Sequence, residues 1–141
     1  MSATYIPVPL RRAVIERARH CCEYCWTPDD ATLVTHEVDH VIAKRHKGKT
    51  ELDNLAYACF RCNRLKGSDL SSIDPQTGNV TRLYNPRTDH WSEHFRLTSD
   101  ATIQPLSAIG RTTMDFLDLN DAQWRELRAA LLQQGRYMVP A

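Results

Sequence analysis

Two pairs of cysteines with identical spacing enclose a segment rich in metal-binding and acid–base side chains. The pairs are Cys22-Glu-Tyr-Cys25 and Cys59-Phe-Arg-Cys62. Asp39-His40 and Asn54 lie between them, and Asn63 follows the second pair directly. Cysteine thiolates hold a metal ion firmly, while carboxylate, imidazole and amide groups can bind a cation and activate water. The pattern therefore indicates a small motif that a metal holds rigid and that is equipped for hydrolysis.

The cysteine spacing predicts one tetrahedral zinc site. Two residues between cysteines allow both thiolates to reach one ion through a tight turn. Two such pairs supply four ligands, Cys22, Cys25, Cys59 and Cys62. A closed four-thiolate shell leaves no position for substrate, so we expect this zinc to be structural. A redox motif is the alternative, but equal spacing in both pairs favours metal, and Cys21 is expected to take no part.

The composition is that of a modest globular protein. A chain of 141 residues with a formal net charge of +1 fits one domain over residues 1–141. A zinc site would add stability to a core of this size. No segment has the apolar length of a signal peptide or a membrane span, so we expect a cytoplasmic protein with no membrane partner.

Basic residues are concentrated between His40 and Gly67. The segment holds Lys44, Arg45, Lys47, Lys49, Arg61, Arg64 and Lys66 against Glu51 and Asp53. Such a local excess of positive charge is suited to binding the phosphate backbone of a nucleic acid. A solvated charged loop is the alternative interpretation.

Hydrophobic patterning predicts the elements that position these residues. In order they are a helix over Pro9–His20, a strand over Leu33–Ile42, a polar loop over Lys44–Thr50, a strand over Leu55–Ala58 and a helix from Asn63 onward. Strand, loop, strand and helix form a ββα unit over about residues 22–70. The predicted fold class is α+β.

Residues 71–141 are predicted to form a mixed extension that ends in helices. We expect a strand at Asn79–Tyr84, a hairpin of Phe95–Thr98 with Ala101–Pro105, a helix at Ala108–Leu117 and a final helix from Asn120 or Asp121 to Gln134. Trp124, Leu127 and Leu131 recur on one side of the final helix. We expect this stripe to pack in the core, and a partner contact is the alternative.

The segment His36-Glu37-Val38-Asp39-His40 also matches the zinc-protease pattern His-Glu-x-x-His. That pattern needs a helix, because only there do both histidines face one ion. The surrounding β-branched residues favour a strand, in which positions 36 and 40 lie about 13 Å apart. The protease interpretation is therefore disfavoured.

Taken together, these motifs resemble the HNH endonucleases of the small, stand-alone, zinc-stabilised bacterial kind. The matching residues are Cys22 and Cys25, Val38-Asp39-His40, Asp53-Asn54-Leu55 and the run from Cys59 to Gly67. The downstream residues Leu83 to Arg87, Trp91, His94-Phe95 and Ile109 to Thr112 also resemble a tail seen in bacterial members. The resemblance implies a ββα-metal (His-Me finger) core that carries the four-cysteine zinc site.

The resemblance also implies roles for individual residues. His40 would be the general base that deprotonates water. Asp39 and Asn63 would bind one divalent cation, with Mg²⁺ or Mn²⁺ expected from their oxygen ligands. Asn54 would fix the loop that orients His40. The basic residues Lys44, Arg45, Arg61, Arg64 and Lys66 would contact phosphates of the DNA partner.

The resemblance thus implies a metal-dependent endonuclease that hydrolyses phosphodiester bonds in DNA. Asn63 occupies the position of the histidine that the final H of the name HNH denotes, and its amide offers an oxygen ligand there. A non-catalytic nucleic-acid-binding module stabilised by zinc is the alternative. The choice between a monomer and a homodimer stays open, since pairing is one way in which such enzymes gain a second cut.

Overall fold

The computed structural model describes residues 5–141, whose contacts form two units. The first unit contains residues 5–68 and Asn85–Thr88, and the second contains Asp69–Tyr84 and Asp89–Ala141. Both combine helices with antiparallel strand pairs, so the fold class is α+β, as predicted. The single domain over residues 1–141 stays a prediction. Within the first unit the elements are α1 (Val8–Arg17), β1 (Glu37–His40), β2 (Leu55–Ala58) and α2 (Phe60–Lys66).

Helix α1 packs its buried side on the strands of the first unit. Pro9 sits in the first turn, where its missing N–H donor costs no hydrogen bond. Val14 is fully buried in one core cluster with residues of β1 and β2. Arg19 and His20 have φ angles of 54° and 62°. Because this backbone is left-handed, the helix ends at Arg17 and not at His20 as predicted.

Strands β1 and β2 form an antiparallel pair in which Val38 lies opposite Tyr57 and His40 opposite Leu55. The bounds of β2 are those predicted. The predicted strand over Leu33–Ile42 is too long, because β2 offers a partner only to the residues of β1. The short pair is enough to bring the end of β1 next to α2.

The loop between β1 and β2 is held by Asn54 and by a glycine. Asn54 Oδ1 accepts a hydrogen bond from Ile42 N at 2.9 Å. Asn54 Nδ2 donates to Ile42 O at 3.0 Å and to Lys49 O at 2.9 Å. A Cβ atom on Gly48 would lie 1.7 Å from Ile42 O. The loop therefore needs glycine at this close approach, and Asn54 ties it to the end of β1.

Helix α2 begins earlier than the sequence suggested. Cys59 is its N-cap, with Cys59 Sγ accepting from Cys62 N at 3.3 Å. The prediction that the helix starts at Asn63 was wrong, because Asn63 is the fourth helical residue. The second cysteine pair is consequently part of the helix start and not a separate turn before it.

The second unit contains two hairpins and three helices within the described residues. Its elements are β3 (Ser71–Ile73), β4 (Val80–Arg82), α3 (Trp91–His94), β5 (Phe95–Leu97), β6 (Ile103–Pro105), α4 (Ala108–Phe116) and α5 (Ala122–Gln133). Strand β3 pairs with β4, and β5 pairs with β6. The predicted hairpin and the Asp121 cap of the final helix are confirmed. Strand β3 was missed, since its two serines do not favour a strand.

Buried polar contacts hold the second unit together. Arg111 donates to both carboxylate oxygens of Asp74, at 3.1 and 2.9 Å, and so holds the pKa of that carboxyl well below its usual range. Arg128 of α5 donates to Ala101 O at 2.8 Å and to Leu119 O at 2.6 Å. Of the predicted apolar stripe on α5, Leu131 is buried. Among residues 5–141, no helix combines the length and apolar character needed to cross a bilayer.

Candidate functional site

The four paired cysteines converge in the first unit. Cys22, Cys25, Cys59 and Cys62 are buried, and their Sγ atoms all lie within 4.8 Å of one another. The Sγ atoms of Cys25 and Cys59 are 3.8 Å apart. Four thiolates bound at about 2.3 Å to one tetrahedral ion would also be about 3.8 Å apart. The predicted cluster is confirmed, and it has the donor set and spacing of a zinc site.

Both cysteine pairs direct their sulfurs through the same local turn. Cys25 N donates to Cys22 Sγ at 3.5 Å, just as Cys62 N donates to Cys59 Sγ at 3.3 Å. Thr27 Oγ1 lies 3.2 Å from Cys25 Sγ. Such polar contacts orient metal ligands. Because Cys59 caps α2, the cluster is also connected directly to the helix that carries Asn63.

Cys21 lies outside the cluster. Its Sγ donates to Arg19 O at 3.4 Å. Burial raises the pKa of the Cys21 thiol to about 11. A thiol of this kind stays protonated at neutral pH and is a poor metal ligand.

A cavity of about 660 Å³ opens between the end of β1 and the exposed side of α2. Its lining residues are Glu37, Asp39 and His40 from β1, Ala43, Lys44 and Arg45 from the following loop, Phe60, Asn63 and Arg64 from α2, and Gly67 and Ser68. The structure therefore brings Asp39, His40 and Asn63 to one cavity, although Asn63 lies more than twenty residues after the other two in sequence.

The end of β1 explains how two consecutive side chains reach the same cavity. Alternation along the strand buries Val38 and His40 and leaves Glu37 and Asp39 half-buried. His40 is the last residue of the strand, and the chain leaves the regular pleat there. Asp39 and His40 can both face the cavity at this point. A break in the pleat near His40 is what the sequence interpretation required.

His40 is held by Thr50, a residue that sequence reasoning did not single out. Only 5% of His40 is exposed, and its Nε2 lies 2.8 Å from Thr50 Oγ1. Burial lowers the pKa of His40 below its ordinary value; Asp39 opposes this effect and Lys44 adds to it. The imidazole is therefore mainly neutral at pH 7. With Nε2 bound to Thr50, Nδ1 remains to accept a proton.

Asn63 has a charged partner across the cavity. Its Nδ2 donates to Glu37 Oε2. Glu37, which the sequence interpretation left without a role, thus joins Asp39 and Asn63 on the cavity wall. The Asp39 carboxylate and the Asn63 amide oxygen are the type of donors that suit a hard divalent cation. Asn54 does not line the cavity, and its contacts are with the loop after β1.

The predicted phosphate contacts fall into two groups. Lys44, Arg45 and Arg64 line the cavity, and the Arg64 guanidinium lies 4.4 Å from the centre of the Phe60 ring. Lys66 is 5% exposed, and its Nζ donates to Val41 O at 2.9 Å. Arg61 is half-buried and also does not line the cavity. The basic cavity wall is therefore smaller than the sequence suggested.

The His-Glu-x-x-His pattern does not form a protease site. Residues 37–40 are a strand, whereas two histidines four residues apart need a helix to share an ion. The Nε2 of His36 is 2.8 Å from Thr27 O, and that of His40 is occupied by Thr50. The two imidazole rings thus contact different parts of the first unit.

Comparison with known proteins identifies the segment that contains this geometry. Neither the curated proteins nor the solved structures contain a significant match to the chain. A family model described as HNH endonuclease matches residues 22–69. This match, about a third of the chain, includes both cysteine pairs and every residue that lines the cavity. The segment of residues 22–69 is therefore similar in sequence to an HNH endonuclease domain.

Proposed function

We propose that the chain is a metal-dependent endonuclease that hydrolyses phosphodiester bonds in DNA. The observation that carries this proposal is the convergence of Asp39, His40 and Asn63 on one cavity. The order β1, β2 and α2 supports a ββα-metal core for the first unit. The match of residues 22–69 to the HNH endonucleases supports nuclease chemistry at this cavity.

The residues at the cavity fit a divalent cation with a preference for oxygen. Asp39 would contribute a carboxylate and Asn63 its amide oxygen, and Mg²⁺ or Mn²⁺ suits such ligands best. A cation bound there supplies positive charge that offsets the negative charge developing on the phosphate and on the leaving oxygen. Asp39 is half-buried and lines the cavity, so its carboxylate would be available to such a cation.

His40 is suited to remove the proton of the attacking water. A base must offer a lone pair, so Nδ1 accepts the proton while the protonated Nε2 donates to Thr50 Oγ1. The water oxygen then forms a bond to phosphorus, and the bond from phosphorus to the 3′-oxygen breaks. Burial keeps the pKa of His40 low enough for the neutral form to dominate at pH 7. Asn54 supports this arrangement by fixing the loop on which the strand end depends.

The basic residues on the cavity wall would bind the DNA backbone. Lys44, Arg45 and Arg64 place positive charge around the carboxylates of the cavity. Contacts to phosphates position a duplex but carry little sequence information. Lys66 is buried against Val41, so it contributes to the fold of this wall and not to the contact surface.

The cysteine cluster would bind a structural zinc ion that holds the cavity walls in place. Cys59 and Cys62 belong to the start of α2, and Cys22 and Cys25 follow α1. Zinc binding at such a site contributes on the order of 10–16 kcal/mol, which is also folding energy. Asn63 directly follows Cys62, so a zinc ion bound there would hold Asn63 in position.

Cleavage of supercoiled plasmid under different divalent cations tests the proposed function. The zinc-loaded protein is freed of other cations by dialysis and then given Mg²⁺, Mn²⁺, Ni²⁺ or Zn²⁺. We expect relaxed or linear DNA with Mg²⁺ or Mn²⁺ and none without added cation. DNA binding that persists in every condition, with no product under any cation, would instead establish the non-catalytic binding module.

A further inference from the structure

Glu37 and Asn63 form a hydrogen bond that the proposed chemistry does not yet use. We propose that Glu37 is a positioning residue, which turns the amide oxygen of Asn63 toward the divalent cation. This inference rests on the proposed cation site at Asp39 and Asn63. It assigns a role to a residue that touches neither the water nor the phosphate.

An asparagine amide has two chemically different ends. One end is an oxygen that can bind a cation, and the other is an NH₂ group that repels it. A free asparagine can present either end, since the two have nearly the same size. Only a neighbouring group with a defined hydrogen-bond preference can select one orientation.

Glu37 has that preference. An ionised carboxylate accepts hydrogen bonds and cannot donate them. Nδ2 of Asn63 must therefore face Glu37 Oε2, as it does in the structure. The amide oxygen then points away from Glu37. Because the bond is charge-assisted, it is stronger than one between neutral groups.

The strand geometry places Glu37 where this contact and the cation site can coexist. Glu37 and Asp39 are two residues apart on β1, so their side chains leave the same face about 7 Å from each other. Both line the cavity, as does Asn63 on α2. Asp39 is thus available to the cation while Glu37 is engaged by the amide.

A direct ligand role for Glu37 is the competing explanation, and a double-mutant cycle separates the two. The cation affinity of zinc-loaded, full-length protein is measured with Mn²⁺ by electron paramagnetic resonance. Glu37→Ala is introduced into the otherwise unchanged chain and into Asn63→Ala. If Glu37 acts through Asn63, its removal matters only when Asn63 is present.

We expect Glu37→Ala to weaken Mn²⁺ binding about 10-fold or more, in the range of 10–100-fold seen for partners of metal ligands. In the Asn63→Ala background the same change should alter the affinity less than about twofold. Glu37→Gln keeps the side-chain size and one acceptor, so it should weaken binding in the same direction but less. Glu51→Gln, at an exposed glutamate that does not line the cavity, should leave the affinity unchanged.

Equal losses in both backgrounds would show that Glu37 binds the cation itself and would overturn the inference. Unchanged affinity in Glu37→Ala and Glu37→Gln would also overturn it. Zinc content and melting temperature, measured on the same samples, separate these outcomes from a folding defect. Failure of the unchanged protein to bind Mn²⁺ would instead reject the proposed cation site itself.

Discussion

Replacing Thr50 with valine should slow DNA cleavage without disturbing the fold. The two side chains have nearly the same shape, but valine cannot accept the hydrogen bond from His40 Nε2, which spans 2.8 Å. In the proposed mechanism this bond fixes both the ring orientation and the tautomer that leaves Nδ1 unprotonated. Thr50→Val therefore removes support from the base while keeping the base itself.

The size of the effect follows from the value of one hydrogen bond. A bond between neutral groups contributes about 0.5–1.5 kcal/mol. If that energy is lost from the transition state, the rate falls between about twofold and about 13-fold. Complete removal of a general base costs about 10²–10⁴-fold. The Thr50→Val rate should therefore lie clearly between those of wild type and His40→Ala.

The assay is single-turnover cleavage of plasmid at saturating protein and Mg²⁺ or Mn²⁺, measured across pH. The rate should rise with pH as His40 loses its proton. Since burial lowers the pKa of His40, the midpoint of this rise should lie below the ordinary histidine value of 6.5. Thr81→Val, at a half-buried threonine of the second unit that does not line the cavity, is the matched control and should cleave normally. A wild-type rate for Thr50→Val, or a midpoint above 6.5, would refute this account of His40.

Three further changes test other parts of the structure. Cys59→Ser should release zinc and unfold the first unit. The control Cys21→Ser should keep the zinc content and the melting temperature of the wild type. A Cys59→Ser protein that folds cooperatively without zinc would contradict the zinc site. Arg87→Ala removes the ion-pair partner of the buried Glu23, so the free energy of unfolding in chemical denaturation should fall by about 3–5 kcal/mol. The exposed Arg82→Ala should lower it by less than about 1 kcal/mol. Equal losses for the two variants would rule out a buried ion pair. Arg64→Ala should weaken the binding of all DNA sequences alike, and the salt dependence of the affinity should fall by about one phosphate contact. A loss of affinity for one DNA sequence alone would indicate base recognition instead.

The cysteine cluster could be predicted from the sequence because its signal is local. Each cysteine pair closes its own turn, and both turns use the same backbone N–H to sulfur contact. Equal spacing in two pairs is therefore sufficient to predict the cluster. The bounds of β2 were also predictable, since a short run of apolar residues ends directly at Cys59.

The position of the helix after the second pair was harder to predict, and it changed the expected DNA surface. Cysteine is not a common N-cap, so no strong local signal indicates that α2 begins at Phe60. The earlier start places Phe60, Asn63 and Arg64 on one side of the helix, three and four residues apart. Lys66 faces the interior and contacts Val41, which explains why it does not join the cavity wall.

The two supporting residues of the candidate site differ in how far the sequence could reveal them. Glu37 lies two positions before Asp39, and strand alternation alone places both side chains on one face. That signal was present. Thr50 reaches His40 only because Gly48 and Asn54 fold the loop back onto the strand end. Such a contact depends on the closed loop, so no local pattern predicts it.

In the proposed mechanism His40 acts as the base at the cavity that it shares with Asp39 and Asn63. Its most direct test is the single-turnover cleavage rate of zinc-loaded His40→Ala beside His90→Ala, an exposed histidine of the second unit. We expect a loss of about 10²–10⁴-fold for His40→Ala, with unchanged zinc content and DNA affinity, and a normal rate for His90→Ala. Cleavage by His40→Ala at the wild-type rate would contradict it.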